Sequence, residues 1–77
     1  GYMLMVRPRA TDTFLPALQR LRVEHELSQV ELARVAGVAR SSVARIERGE
    51  RANAITAHKL AKALGVTVKQ LQTEEPE

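Results

Sequence analysis

The 77-residue chain has no cysteine, no tryptophan, one phenylalanine and one tyrosine. Without thiols it has neither a disulfide framework nor a thiolate metal site. The two histidines, His25 and His58, are isolated and make no zinc pair. No apolar run approaches the ~20 residues that span a bilayer. A length of this order supports one domain, and a core this small encloses no roomy substrate cavity. No nucleophile, base and orienter can be assembled from these residues, and no glycine-rich loop is present to cradle a phosphate. The chain is therefore expected to be no enzyme, to use no cofactor or metal, and to be a soluble, cytoplasmic, mostly helical binding domain with no membrane partner.

Small apolar residues and unevenly spread charge are what the chain has in quantity. Of its 34 hydrophobic residues 11 are Ala, 9 Leu and 8 Val, a composition that lets helices approach closely. The formal net charge is +3 and the isoelectric point about 10.0, which favours a polyanionic partner. Glu74, Glu75 and Glu77 crowd the end, so the preceding residues carry 12 basic side chains against six acidic ones. Five arginines (34, 40, 45, 48 and 51) fall within residues 34–51, opposed only by Glu47 and Glu50.

Turn and cap residues divide the chain. Residues 1–12 form an expected flexible N-terminal segment, apolar over Tyr2–Val6 and then broken by Arg7-Pro8-Arg9. Gly1 is not an initiator residue, so Met3 or Met5 is the expected native start. The basic stretch around Pro8 reads either as an arm for phosphates or as a plain unstructured terminus. Residues 13–72 form the expected domain, and 73–77 an acidic tail. Within the domain the first helix is expected from Thr13 to His25, with Pro16 in its first turn and Phe14, Leu18, Leu21 and His25 at helical spacing. Ser28-Gln29-Val30-Glu31 fits a capping box opening a second helix that stops at Gly37. A third helix spans Arg40 to Arg48 and stops at Gly49. A fourth runs from Ala54, with Asn53 as cap, to Leu64 and stops at Gly65. Thr67-Val68-Lys69-Gln70 is a second capping box opening a last short helix through Leu71. The expected fold class is all-α, a compact five-helix domain.

The run from Gln29 to Ile46 looks like a helix-turn-helix. Ala33 sits where two helices cross and only a small side chain fits, Gly37 makes the turn, and Leu32, Val38, Val43 and Ile46 supply apolar contacts between the helices. The flanks Leu27-Ser28-Gln29, Arg45-Ile46-Glu47-Arg48-Gly49 and Leu60-Ala61-Lys62-Ala63-Leu64-Gly65-Val66 sharpen the match. Over residues 14–72 the chain resembles the lambda-repressor-like (Xre-type) helix-turn-helix family. The resemblance implies a double-stranded DNA partner and a role in transcription regulation, as a repressor, with nucleoid association when bound.

The third helix carries the expected chemistry. At 100° per residue, Arg40, Ser41, Ala44, Arg45 and Arg48 share an arc of roughly 140°, while Val43, Ile46 and Glu47 point the other way. A helix fits the major groove, and an arginine fork matches the O6 and N7 acceptors of guanine. Arg40, Ser41, Ala44 and Arg45 are thus the candidate base readers. Gln29, Ser42, Arg48 and Arg51 are the candidate phosphate contacts; for Gln29 the family resemblance implies that role, at a helix N-terminus. Arg34 and His58 read as solvated surface residues.

The resemblance further implies an ion pair between Arg22 and Glu47, joining the first and third helices. It also implies a homodimer, weak in solution and cooperative on DNA, with contacts from the last helix around Val68 and Leu71 or from Tyr2–Val6. Two departures stand out: Ala39 takes the N-cap of the third helix, where the family usually has Ser or Thr, and the loop Glu50–Ala54 lacks the usual proline. The competing reading is an antitoxin or adaptor, a protein-interaction module on the same fold. Such a module should place bulky apolar residues on the third helix, where this chain has Arg and Ser.

Overall fold

Three of the five helices begin where a side chain accepts from one of their first free amides. The computed structural model describes residues 12–74, which hold five helices and no strand: α1 (Leu18–Glu24), α2 (Gln29–Ala36), α3 (Arg40–Glu47), α4 (Ala54–Leu64) and α5 (Val68–Gln72). The expectations for Tyr2–Val6, for the basic arm and for the last acidic residues lie outside the described residues.

Two starts use complete capping boxes. Ser28 Oγ accepts from Glu31 N at 3.0 Å while Glu31 Oε1 accepts from Ser28 N at 2.8 Å. Thr67 and Gln70 repeat the arrangement at α5. Asn53, in extended conformation, accepts from Thr56 N at 2.8 Å and fixes the start of α4 without a proline in the loop. Ala39 also has the extended backbone of a cap but supplies no side-chain acceptor to α3.

The first helix is shorter than expected, beginning at Leu18 instead of Thr13. The residue before a proline is steered away from helical geometry, and Leu15 precedes Pro16. Thr13 instead exchanges both backbone hydrogen bonds with Ala52, each at 2.8 Å, in an isolated antiparallel bridge. Phe14 therefore lies off the helix and half in solvent, while Leu15 is buried. Ala17 cannot cap α1 with its side chain; its own N–H is satisfied by the carbonyl of Leu71 in α5, at 3.0 Å.

Four of the five helices end within two residues of a left-handed residue, Glu26, Gly37, Gly49 or Gly65. Gly37 (φ 76°) lets Val38 N–H return to Ala33 O at 3.0 Å, the tight turn between α2 and α3. At the end of α1 the same job falls to Glu26 (φ 58°), with Leu27 N–H returning to Arg22 O at 3.1 Å.

Between the helices lies one core, whose most enclosed side chains are Leu15, Leu18, Leu32, Val43, Leu60 and Leu71. Ala33 is buried at the α2–α3 crossing, and Ala57 and Ala61 do the same for α4. Leu71 corrects an expectation: it is wholly inside and so offers no dimer contact, while Val68 packs against the core and stays partly exposed. The requirement to bury α5 against α1 and α4 overrides the surface role.

Candidate nucleic-acid interface

Val43 (0% exposed) and Ile46 (5%) anchor α3 in the core, which sets its opposite side outward. On that outer side Arg40, Ser41 and Arg45 are exposed and Ala44 is half-buried between them. Arg48 follows as the exposed C-cap residue. The four candidate base readers thus share one face, a shallow basic ridge with a small residue in its middle. None of the large exposed hydrophobics among the described residues lies on α3; they are Phe14, Val23, Val30, Val35 and Ile55.

Behind the ridge Glu47 gathers three segments. Arg22, near the end of α1, donates from Nε to Glu47 Oε2 at 2.6 Å and from a terminal nitrogen to Oε1 at 3.1 Å. Its other terminal nitrogen donates to Leu27 O at 2.7 Å, tying down the α1–α2 loop. The hydrogen bond that Arg22 donates to Glu47 holds its guanidinium in the charged form, raising its pKa further above an already high ordinary value against the opposing effect of burial. Gln29, the first residue of α2, donates from Nε2 to Glu47 Oε1 at 2.9 Å. Arg22, Gln29 and Glu47 therefore meet, and together they fix the end of α3 against α1 and the start of α2.

The remaining candidates are scattered around this frame. Ser42 is half-buried on the flank of α3. Arg51 is exposed, with its guanidinium 5.0 Å above the Phe14 ring, a cation–π contact made available because Phe14 is off the helix. Arg45 pairs with Glu50 at 3.4 Å, and both side chains remain about half exposed. Sequence reasoning missed this pair, as it missed the Gln29–Glu47 bond and the Phe14–Arg51 contact. The Arg45–Glu50 pair had a signal: a Gly between a helical Arg and a Glu five residues on. Glu31 in the α2 cap has a lowered pKa because Ser28 N–H donates to its carboxylate.

Among the described residues no three of His, Asp or Glu gather closely enough to hold a metal ion, and no helix is long and apolar enough to cross a membrane. Two short helices crossing at a small residue, joined by a glycine turn and presenting a basic outer helix, define a helix-turn-helix DNA-binding domain. A helix-turn-helix family model matches residues 18–71, so the chain belongs to the lambda-repressor-like (Xre-type) helix-turn-helix family, whose domains bind DNA as regulators and not as enzymes. No curated protein matches the chain.

Proposed function

We propose that this domain is a sequence-specific transcriptional repressor that sets α3 in the major groove. Arg40 and Arg45 read guanine edges, Ser41 donates or accepts at a neighbouring base edge, and Ala44 allows the close approach. Gln29, Ser42, Arg48 and Arg51 contact phosphates and fix the register. The observation that carries the reading is the outer face of α3, which is Arg, Ser and Ala with no bulky apolar residue. That face suits a charged groove and offers little to a protein partner, which weighs against an antitoxin or adaptor. Occupation of an operator in the compartment that holds the chromosome, the cytoplasm, is the expected mode of action.

Selectivity supports a symmetric homodimer on DNA. One such domain touches only a few base pairs, too few to stand out against a genome of competing sites. Two copies would place their third helices in successive major grooves about 34 Å apart on a near-palindromic site. With Leu71 committed to the core and Val68 only partly exposed, α5 has little apolar surface to offer toward the ~800 Å² per partner of a standard interface. Assembly is accordingly weak in solution and cooperative on DNA. Ultracentrifugation with a duplex carrying inverted half-sites should give two proteins per duplex; one per duplex at saturation would refute the dimer.

The division of labour is tested by affinity on selected and random duplex. Arg40→Ala and Arg45→Ala should each cost ~1–3 kcal/mol on the selected site and relax preference at one position. Gln29→Ala and Arg51→Ala should weaken binding to every duplex alike, and Arg51→Ala, which removes a positive charge, should also lower the salt slope by about 1. Indistinguishable losses across all four variants would overturn it.

A further inference from the structure

We infer that Glu50 is a positioning residue for DNA reading: it holds Arg45 so that its terminal nitrogens face the groove, and it keeps the basic ridge from gripping any phosphate backbone. The inference rests on the proposed role of Arg45 as a base reader.

Gly49 takes a left-handed backbone (φ 109°), and Glu50 N–H then returns to the carbonyl of Arg45 at 3.0 Å. This six-to-one closure is the Schellman ending of a helix, and its glycine permits the reversal at little steric cost. Its consequence here is that residue 50 is brought back over residue 45 by the backbone. The carboxylate then meets the Arg45 side chain at Nε, with Oε1 at 3.4 Å. The approach given is to Nε; the two terminal nitrogens form the fork that matches guanine O6 and N7.

Exposed pairs of this kind add little to stability, so orientation and local charge are the effects to weigh. A long arginine side chain free in solvent loses rotamer freedom when it docks. A carboxylate already holding Nε removes part of that loss in advance, which favours the one base edge the fork can reach. The same negative charge stands beside a ridge that would otherwise attract phosphate wherever it landed. It weakens sequence-independent binding, which arises from phosphate neutralisation. Both effects act on specificity in the same direction, because one strengthens the correct contact and the other weakens the background.

The test uses the full chain and four proteins: the parent, Arg45→Ala, Glu50→Ala and the double variant. Each is measured against the duplex selected by the parent, against that duplex with single base-pair changes, and against random duplex. Arg45→Ala should lower discrimination at one base pair by about tenfold. Glu50→Ala should lower discrimination at that same base pair by about threefold or more, and bind random duplex about twofold to threefold tighter at low salt. The double variant should discriminate there no less than Arg45→Ala alone. The backbone closure does not need the Glu50 side chain, so the thermal midpoint should stay put. If Arg45→Ala shows a position-specific loss while Glu50→Ala tightens all duplexes equally, Glu50 is only a repelling charge and the positioning role is overturned. If Arg45→Ala shows no position-specific loss, the reading of Arg45 itself fails, and the role of Glu50 with it.

Discussion

Arg22 and Glu47 meet across 25 residues of chain in a forked contact, with only 11% and 4% of their side chains exposed. A pair so far withdrawn from water is strongly destabilising when halved, because the remaining charge keeps its desolvation penalty and loses its partner. Arg22→Met should lower the unfolding free energy by about 3–5 kcal/mol. Total stability is expected at roughly 4–12 kcal/mol from about 0.05–0.15 kcal/mol per residue, so such a loss is about a quarter of the total or more. Replacing both residues by apolar ones should cost much less. Urea unfolding of the parent, Arg22→Met, Glu47→Leu and the double variant gives the coupling, and strictly additive losses would contradict the contact.

The Glu31 carboxylate in the α2 cap gives a pH-dependent prediction. Its pKa in the folded protein lies below the ordinary value, so its charged form is favoured by folding. That contribution is fully present above the unfolded-state value of about 4.3 and is lost as pH falls through the lower folded-state value. Glu31→Gln keeps an acceptor for Ser28 N–H but carries no charge. The parent should therefore have the higher urea midpoint at pH 7, with the gap closing in acid. A gap independent of pH would show that the charge contributes nothing.

Ala39 occupies a cap position with the right backbone (φ −75°, ψ 143°) and no acceptor. Ala39→Ser should supply the missing hydrogen bond to the first turn of α3 and stabilise by about 1 kcal/mol. For a domain of this length that corresponds to a rise of roughly 4–8 °C in Tm. An unchanged or lower Tm would mean that the hydroxyl finds no free amide there.

Glu26 holds a left-handed backbone that a side chain disfavours, whereas Gly37 holds a similar one at no such penalty. Glu26→Gly should stabilise by up to about 1 kcal/mol, and Gly37→Ala should destabilise by about the same. A Cβ on Gly37 meets nothing within 4 Å, so its effect is backbone strain and not a clash. Thermal melts of the two variants moving in the same direction would contradict this reading.

The contrast between those two residues also marks what sequence could and could not tell. The ends at Gly37 and Gly65, the boxes at Ser28 and Thr67 and the cap at Asn53 were all legible, because each depends on residues within one helical turn. The left-handed residue after α1, Glu26, was not, since no glycine announces it, although the expected last residue, His25, is the C-cap. Nor was the late start of that helix, which depends on Thr13 meeting Ala52, a partner distant in sequence. The outward face of α3 followed from spacing alone. The companions of its residues did not: Gln29 reaching Glu47, Phe14 beneath Arg51 and Glu50 beside Arg45 are set by how helices and loops pack.

Binding through the arginine face of α3 in the major groove is the central claim, and methylation interference with dimethyl sulfate tests it most directly. The reagent marks guanine N7 in the major groove and adenine N3 in the minor groove, the same edges that distinguish the two modes of reading. The account predicts that premethylation of one or two guanines in each half of the selected site blocks binding, and that Arg40→Ala or Arg45→Ala removes the block at one of them. Interference confined to adenines, or absent from every guanine while sequence preference persists, would contradict it.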